Sequence, residues 1–361
     1  MRPIYADAAA YQPLLPSVRK LVTRLLQEPF ANPSALHEAG LFWRQKIELA
    51  RAQVADLISA PPSTIIFTSG TTEGTATVMQ TFKGRGPIVV SAADHPATLN
   101  NAYATGNEVR LVPVNNSGQW LPAAVIQASR GAALVSLALV SNETGVRQKV
   151  EDLTRKLETK THLHLDLAQA VLLEELSVDR LGAEYLTFSG SKLGGLGGGV
   201  LYVGGGAQYQ PLIEGGGQEG GRRSGTENFL SIIALGAAAA SAHKHRASRH
   251  HHLVKAQAKI EHFLRSKGAT ILGGDALRAP HIIAAHLPGI EAEEVVIRAS
   301  ALGLALSAGS ACSSKKLEHP LYEAMGFPPS EIIRLSLPWS TNYWSTRRLV
   351  ARLSRVLHTL T

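Results

Sequence analysis

Seven short runs of apolar, largely β-branched residues recur through the first two thirds of the chain, and their spacing constrains the fold more than any other feature. The runs cover 65–67, 88–91, 109–114, 134–140, 163–167, 185–188 and 200–203. Helical patterns or loops separate them, with apolar residues three and four apart predicting helices over 17–27, 36–59, 72–82 and 150–161. Strands this uniformly apolar need cover on both faces, so the expectation is an α/β architecture built on a seven-stranded, mostly parallel sheet with helices on either side.

Beyond Glu227 the pattern changes. An Ala-rich helix is predicted over 230–245 and another over 253–266, followed by strands over 270–272, 281–287, 304–307 and 332–337 and a closing helix from Thr346. This predicts a second, smaller α+β domain. The large domain is expected to cover 13–245, and the small one to take 1–12 and 246–361.

Composition removes several function classes. Of 361 residues, 45% are hydrophobic and 18% charged, the balance of a chain that folds throughout. No apolar run approaches the length of a membrane span and the N-terminus has no secretory pattern, so a cytoplasmic protein is expected. The net charge of +8 comes without a recognisable nucleic-acid-binding module, which favours solubility or an acidic partner. Five histidines between His243 and His252 match no closed metal-ligand spacing and read as a solvated helix face, so no metal site is expected. The single cysteine, Cys312, forms no internal disulfide and is either a small buried hydrophobe or a reactive thiol.

The chemistry concentrates at the ends of the predicted strands. Lys192, in Phe188-Ser189-Gly190-Ser191-Lys192, directly follows one strand and precedes a glycine-rich turn. In a partly dry pocket its ammonium form is destabilised, which yields the neutral amine a Schiff base requires. Asp166, in His164-Leu165-Asp166-Leu167-Ala168-Gln169, ends the preceding strand among apolar neighbours, where an unpaired carboxylate is costly and a cation should face it. The pyridine nitrogen of pyridoxal phosphate (PLP) is such a cation, and Gln169 is placed to donate to the ring's phenolic oxygen. Thr68-Ser69-Gly70-Thr71-Thr72-Glu73 opens a helix after a strand, an arrangement that presents free N–H groups and hydroxyls to a phosphate, though a simple helix cap explains it equally well. His95 lies just past another strand and suits stacking on a planar ring or moving a proton. Fifteen of the 33 glycines fall between Gly190 and Gly225, marking loops where backbone approaches something closely.

These segments, with Tyr5-Ala6-Asp7, Asn32-Pro33-Ser34, Ser141-Asn142-Glu143-Thr144-Gly145, Arg223-Ser224-Gly225-Thr226, Ser307-Ala308-Gly309-Ser310-Ala311-Cys312 and Ile333-Arg334-Leu335-Ser336-Leu337, resemble the class V aminotransferases, specifically cysteine desulfurases of the NifS and IscS type. The resemblance runs nearly end to end. It implies PLP-dependent fold type I, with Lys192 as the Schiff-base lysine, Asp166 on the pyridine nitrogen, Gln169 on the phenolic oxygen and His95 stacked on the ring. Thr71, Thr72, Ser189 and Ser191 would surround the phosphate, and Thr226 would reach the phosphate of the neighbouring subunit in a homodimer. Asn142 and Arg334 would hold the carboxylate of the substrate, L-cysteine. Cys312 would receive the sulfur as a persulfide, leaving L-alanine, and pass it to an acceptor protein such as an iron-sulfur scaffold. Ser313-Ser314-Lys315-Lys316 suits an exposed loop, and the two lysines favour the thiolate.

Several positions depart from the family pattern. Ser191 stands where histidine is usual, Gly220 where arginine is common, Thr75 and Ala76 where asparagines are common, and Pro338 where glycine is common. Ala9-Ala10-Tyr11-Gln12-Pro13 also replaces the usual N-terminal segment. Two other readings stay open on these residues: a selenocysteine lyase or other carbon-sulfur lyase, and a non-catalytic subunit of a sulfur-transfer complex.

Overall fold

The computed structural model describes residues 3–151, 153–172, 174–309 and 320–360. A two-residue strand, β1 (Ile4–Tyr5), opens the chain. The seven apolar runs follow as β2 (Ile65–Thr68), β3 (Ile88–Ser91), β4 (Val109–Val112), β5 (Leu134–Ala138), β6 (His162–Asp166), β7 (Tyr185–Ser189) and β8 (Gly199–Val203). They form one sheet in the order β2-β8-β7-β6-β5-β3-β4, in which only β8 runs against its neighbours.

Alternation along each strand divides the core between the two faces. Phe67, Val89, Val135 and Leu186 pack with Val54 and Leu57 of the Glu38–Leu57 helix and with Leu235 and Ala238 of the Phe229–Arg265 helix. Their neighbours Ile66, Ile88, Leu134 and Tyr185 join Val78 and Met79 of the Thr71–Thr81 helix. Both faces are therefore covered, as such apolar strands require.

The rest of the chain adds β9 (Thr270–Ile271), β10 (Ile282–His286), β11 (Leu304–Ala305), β12 (Ser307–Ala308) and β13 (Ile332–Ser336). Four of these make an antiparallel sheet, β12-β13-β10-β9, while β11 pairs in parallel with β1. The single strand expected over 304–307 is thus two, because the chain leaves one pairing partner at Leu306 and joins another. The closing helix, Tyr343–His358, starts earlier than expected, where Asn342 and Ser345 form a reciprocal cap.

Two helix expectations need correction. The described part of 150–161 holds only a single 3-10 turn, Thr154–Lys156, since Val150 and Leu153 reach the core without a continuous helix. The helices expected over 230–245 and 253–266 are one helix of 37 residues, Phe229–Arg265, which runs through the boundary expected near 245. Residues 246–252 contain no Gly or Pro to stop it, and a solvated stretch interrupts the apolar pattern without interrupting the backbone. His250, His251 and His252 lie exposed on that stretch. Among the described residues no helix is long and apolar enough to cross a membrane.

The long helix meets the Glu38–Leu57 helix closely at Gly236, where an added Cβ would lie 2.5 Å from the Ala50 Cα. Gly236→Val is expected to destabilise the fold by about 2 kcal/mol, the range of overpacking a tight core, and the midpoint of denaturant unfolding measures it.

Candidate active site

The carboxyl ends of β2, β3, β5, β6 and β7 open onto one cavity of about 480 Å³. Its position follows from strand order: from β3 the chain moves outward to β4, then returns to the other side of β3 for β5, and such a switch leaves a crevice. β3 and β5 pair at only two positions, Ile88 with Leu134 and Val89 with Val135. Beyond them the buried carboxylate of Asp94 bridges the gap. It accepts the Ser91 N–H on one oxygen and the Ala138 N–H on the other, each at 2.6 Å. Burial pushes the Asp94 carboxyl up to about 7, opposed by those two backbone donors. The clamp fixes the loop that carries His95 beside Ala138, and both residues line the cavity.

At the far wall the Thr71–Thr81 helix starts with no side-chain cap from Gly70. Thr71 Oγ1 is buried without a hydrogen-bond partner among the described residues, at a helix end whose first N–H groups need an acceptor. Ser69, Thr71, Thr72, Ser189 and Ser191 line the same wall. Ser189 Oγ contacts Ser191 Oγ at 2.8 Å and accepts the Ser191 N–H at 3.2 Å, so both hydroxyls are preset. The wall has the hydroxyls and helix N–H groups that could hold a phosphate-sized anion.

Asp166 forms the floor. Burial pushes its carboxyl up to about 6, opposed by the Ala168 N–H, which donates at 2.8 Å, and by the nearby Lys192. A cation across the cavity would reverse that shift. Below it, His164 is neutral, its pKa driven down to about 3 by burial. Its two ring nitrogens contact Ser136 Oγ at 2.7 Å and Thr187 Oγ1 at 2.9 Å, tying β5, β6 and β7 together. Gln169 donates to the Ala9 carbonyl at 3.0 Å and accepts from His281 at 3.1 Å, leaving one amide hydrogen for a ligand. Lys192 Nζ donates to the Ala10 carbonyl. His95 accepts the Ala97 N–H on Nδ1 at 3.0 Å, which holds its exposed ring at the cavity rim.

Opposite this floor, β13 supplies Arg334. Its guanidinium contacts Glu143 at 3.1 Å, the Asn142 carbonyl at 3.2 Å and Asp7 at 3.3 Å. Asn142 and Arg334 also line the cavity.

Ten of the sequence-predicted site residues meet here: Thr71, Thr72, His95, Asn142, Asp166, Gln169, Ser189, Ser191, Lys192 and Arg334. Thr226 does not. It lines an adjoining cavity of about 280 Å³ that shares Ser69 and Gly198 with the first. Its loop is anchored by a bidentate Arg51–Glu219 pair at 2.8 Å and by Arg223 on Glu73 at 2.8 Å. Cys312 lies outside the described residues. Sequence reading did not single out Asp94, His164, His281 or the functional surroundings of Asp7 and Glu143; the one available signal was an acid or histidine within an otherwise apolar strand or strand end.

An α/β chain of fold type I, with an anion cradle, a buried acid and a lysine around one crevice, is the class this fold and site define. Sequence comparison then specifies it: residues 4–343 match the class-V aminotransferases. The cysteine desulfurase IscS of Dictyoglomus turgidum is 32% identical over 96% of this chain and 91% of its own length. The NifS-like protein of Rickettsia africae superposes with a TM-score of 0.91 over 99% of this chain and all of that one, at 27% identity. A solved structure of SspA in complex with cysteine matches with a TM-score of 0.80 at 29% identity, covering 93% of this chain and 99% of its own. The chain belongs to the class-V aminotransferase family, within its cysteine desulfurases.

Asp94→Ala would strand two buried N–H groups at the mouth of the crevice. A loss of about 3 kcal/mol in stability is expected, from about 1–3 kcal/mol per unsatisfied group, and equilibrium unfolding reports it.

Proposed function

We propose that this protein is a PLP-dependent L-cysteine desulfurase that releases L-alanine and passes the sulfur through Cys312 to an acceptor protein. The observation that carries this reading is the convergence of Lys192, Asp166 and the hydroxyl-lined helix start on one cavity. The residues fit the cofactor on two independent grounds. Thr71 Oγ1 is buried without a partner where an anion would sit, and Asp166 carries a burial penalty that a cationic ring nitrogen would offset. When bound, PLP supplies an electron sink that acidifies the substrate Cα–H and labilises the bonds around it.

The chain's own residues do the rest. Lys192 would hold the cofactor and would move protons at the substrate carbon. Asp166 would keep the ring nitrogen protonated, with the neutral His164 network holding its strand in place. Gln169 would donate its remaining amide hydrogen to the phenolic oxygen, His95 would face the ring, and Thr71, Thr72, Ser189 and Ser191 would take the phosphate. Arg334, with Asn142, orients the substrate carboxylate, for which a planar guanidinium fork is suited. The Cys312 thiolate attacks the substrate sulfur, the Cβ–S bond breaks with its electron pair kept by Cβ, which takes up a proton, and a persulfide stays on Cys312 while carbon and nitrogen leave as alanine.

Thr226 is proposed to contact the phosphate in a neighbouring subunit, making the active unit a homodimer. The acceptor is proposed to be an iron-sulfur scaffold or another sulfur carrier, and the setting the cytoplasm, where a lone thiol stays reduced. A division into a large domain over 13–245 and a small one from 1–12 and 246–361 is part of the same proposal. The name cysteine desulfurase on the matched relatives weighs against a selenocysteine lyase, and the ten site residues gathered around one cavity weigh against a non-catalytic subunit.

Two measurements test the reading. Lys192→Ala is expected to lose the visible absorbance of bound cofactor together with alanine formation. Cys312→Ser is expected to keep that absorbance and lose sulfur transfer from cysteine; undiminished transfer would refute the persulfide route.

A further inference from the structure

Arg334, on which the reading above places the substrate carboxylate, already faces two carboxylates in this structure. They are held very differently. Glu143 is 2% exposed and bound on both oxygens: Oε2 accepts the Tyr322 hydroxyl at 2.7 Å, and Oε1 accepts Asn142 Nδ2 at 2.7 Å and Arg334 Nη1 at 3.1 Å. Asp7 is 24% exposed, and its side chain makes one described hydrogen bond, from Arg334 Nη2 at 3.3 Å. Glu143 is the permanent counter-ion. Asp7 is the weaker one.

We propose that Asp7 is an internal stand-in for the substrate carboxylate that yields its edge of Arg334 to the substrate and takes up a proton from solvent as it does so. The inference rests on Arg334 being the carboxylate seat. One guanidinium between two carboxylates has a net charge of −1, and a third carboxylate would make it −2 in a largely desolvated place. Shedding one charge relieves that, and Asp7 is the group with the fewest donors to lose. The charged and titratable groups around it act in the same sense. Burial raises the Asp7 carboxyl above its ordinary range, Arg334 and Lys192 oppose this, and Glu143 adds to it. Tyr5, raised by burial and by Asp7, stays a neutral hydroxyl that donates to the carbonyls of Asp7 and Tyr11.

Asp7 cannot leave with its chain. Its backbone bridges Ser336, two residues along β13 from Arg334, with Ser336 N–H donating to the Ala6 carbonyl at 2.7 Å and Ala8 N–H to the Ser336 carbonyl at 3.0 Å. Only the side chain can swing away. The next residues of the same arm supply the carbonyls that Gln169 and Lys192 use, from Ala9 and Ala10. The arm therefore presents acceptors to three residues of the proposed substrate and cofactor site.

The test uses the holoenzyme and propionate, which carries the carboxylate and lacks the reacting groups. Calorimetry in two buffers of different ionisation enthalpy reads both affinity and proton uptake. The wild type is expected to bind propionate with net proton uptake, and more tightly as pH falls. Asp7→Asn keeps an acceptor for Arg334 and removes the charge. It should bind at least about fivefold more tightly, the lower bound set by removing one unit charge at about 4 Å at the dielectric of bulk water, and should lose that proton uptake. Asp7→Ser is expected to behave alike, which keeps the test decisive if one variant folds poorly. Unchanged affinity and undiminished proton uptake in both variants overturn the inference and leave Arg334 in place. Equal binding by wild type and Arg334→Lys overturns the reading of Arg334 itself.

Discussion

The separation of β3 from β5 after two residue pairs is the constraint on which the rest of this structure depends. A parallel sheet that continued pairing would close the space where the cavity lies. Here the two strands end their ladder early, and the carboxylate of Asp94 takes up one N–H from each side. A buried carboxylate with two backbone donors is a strong spacer, and it holds the crevice open at a fixed width. His95 at the rim and Ala138 on the floor inherit their positions from it.

Around that crevice the site is composed of groups that burial has moved away from their ordinary protonation. Asp94 and Asp166 are raised to about 7 and about 6, and His164 and His281 are held neutral by the same effect. The floor of the cavity therefore has polar reach without a fixed excess of charge, which suits a ligand that brings both a cationic nitrogen and an anionic phosphate. The positive end is displaced to one side, at Arg334 and Lys192, where the N-terminal arm shields both. The arm also joins the smaller sheet to the floor, through Ser336 on one side and Gln169 on the other, so the two halves of the cavity share one strap.

Much of this was legible beforehand. All seven central strands appear within a few residues of their expected places, because a strand covered on both faces is apolar at most positions and leaves a recognisable run. Lys192, Asp166 and the Thr71-Thr72 turn were equally visible, since each is a polar group at a strand or helix end where it needs a partner. The misreadings have a common origin. The segment over 150–161 carries helical spacing too sparse to need a helix, and the helix from Phe229 to Arg265 passes through a solvated stretch that hides its continuity.

The sequence by itself determined the sheet, the family and the chemical kind of nearly every group in the cavity, because those are set by local pattern and residue type. Tertiary structure alone decided which of them meet. Asp7 reaches Arg334 across 327 positions of chain, Gln169 reaches Ala9 across 160, and Thr226 is directed to a second cavity. Such contacts depend on strand order and on where β3 and β5 part, and no local spacing encodes an interaction between residues that only the folded sheet brings within hydrogen-bonding distance.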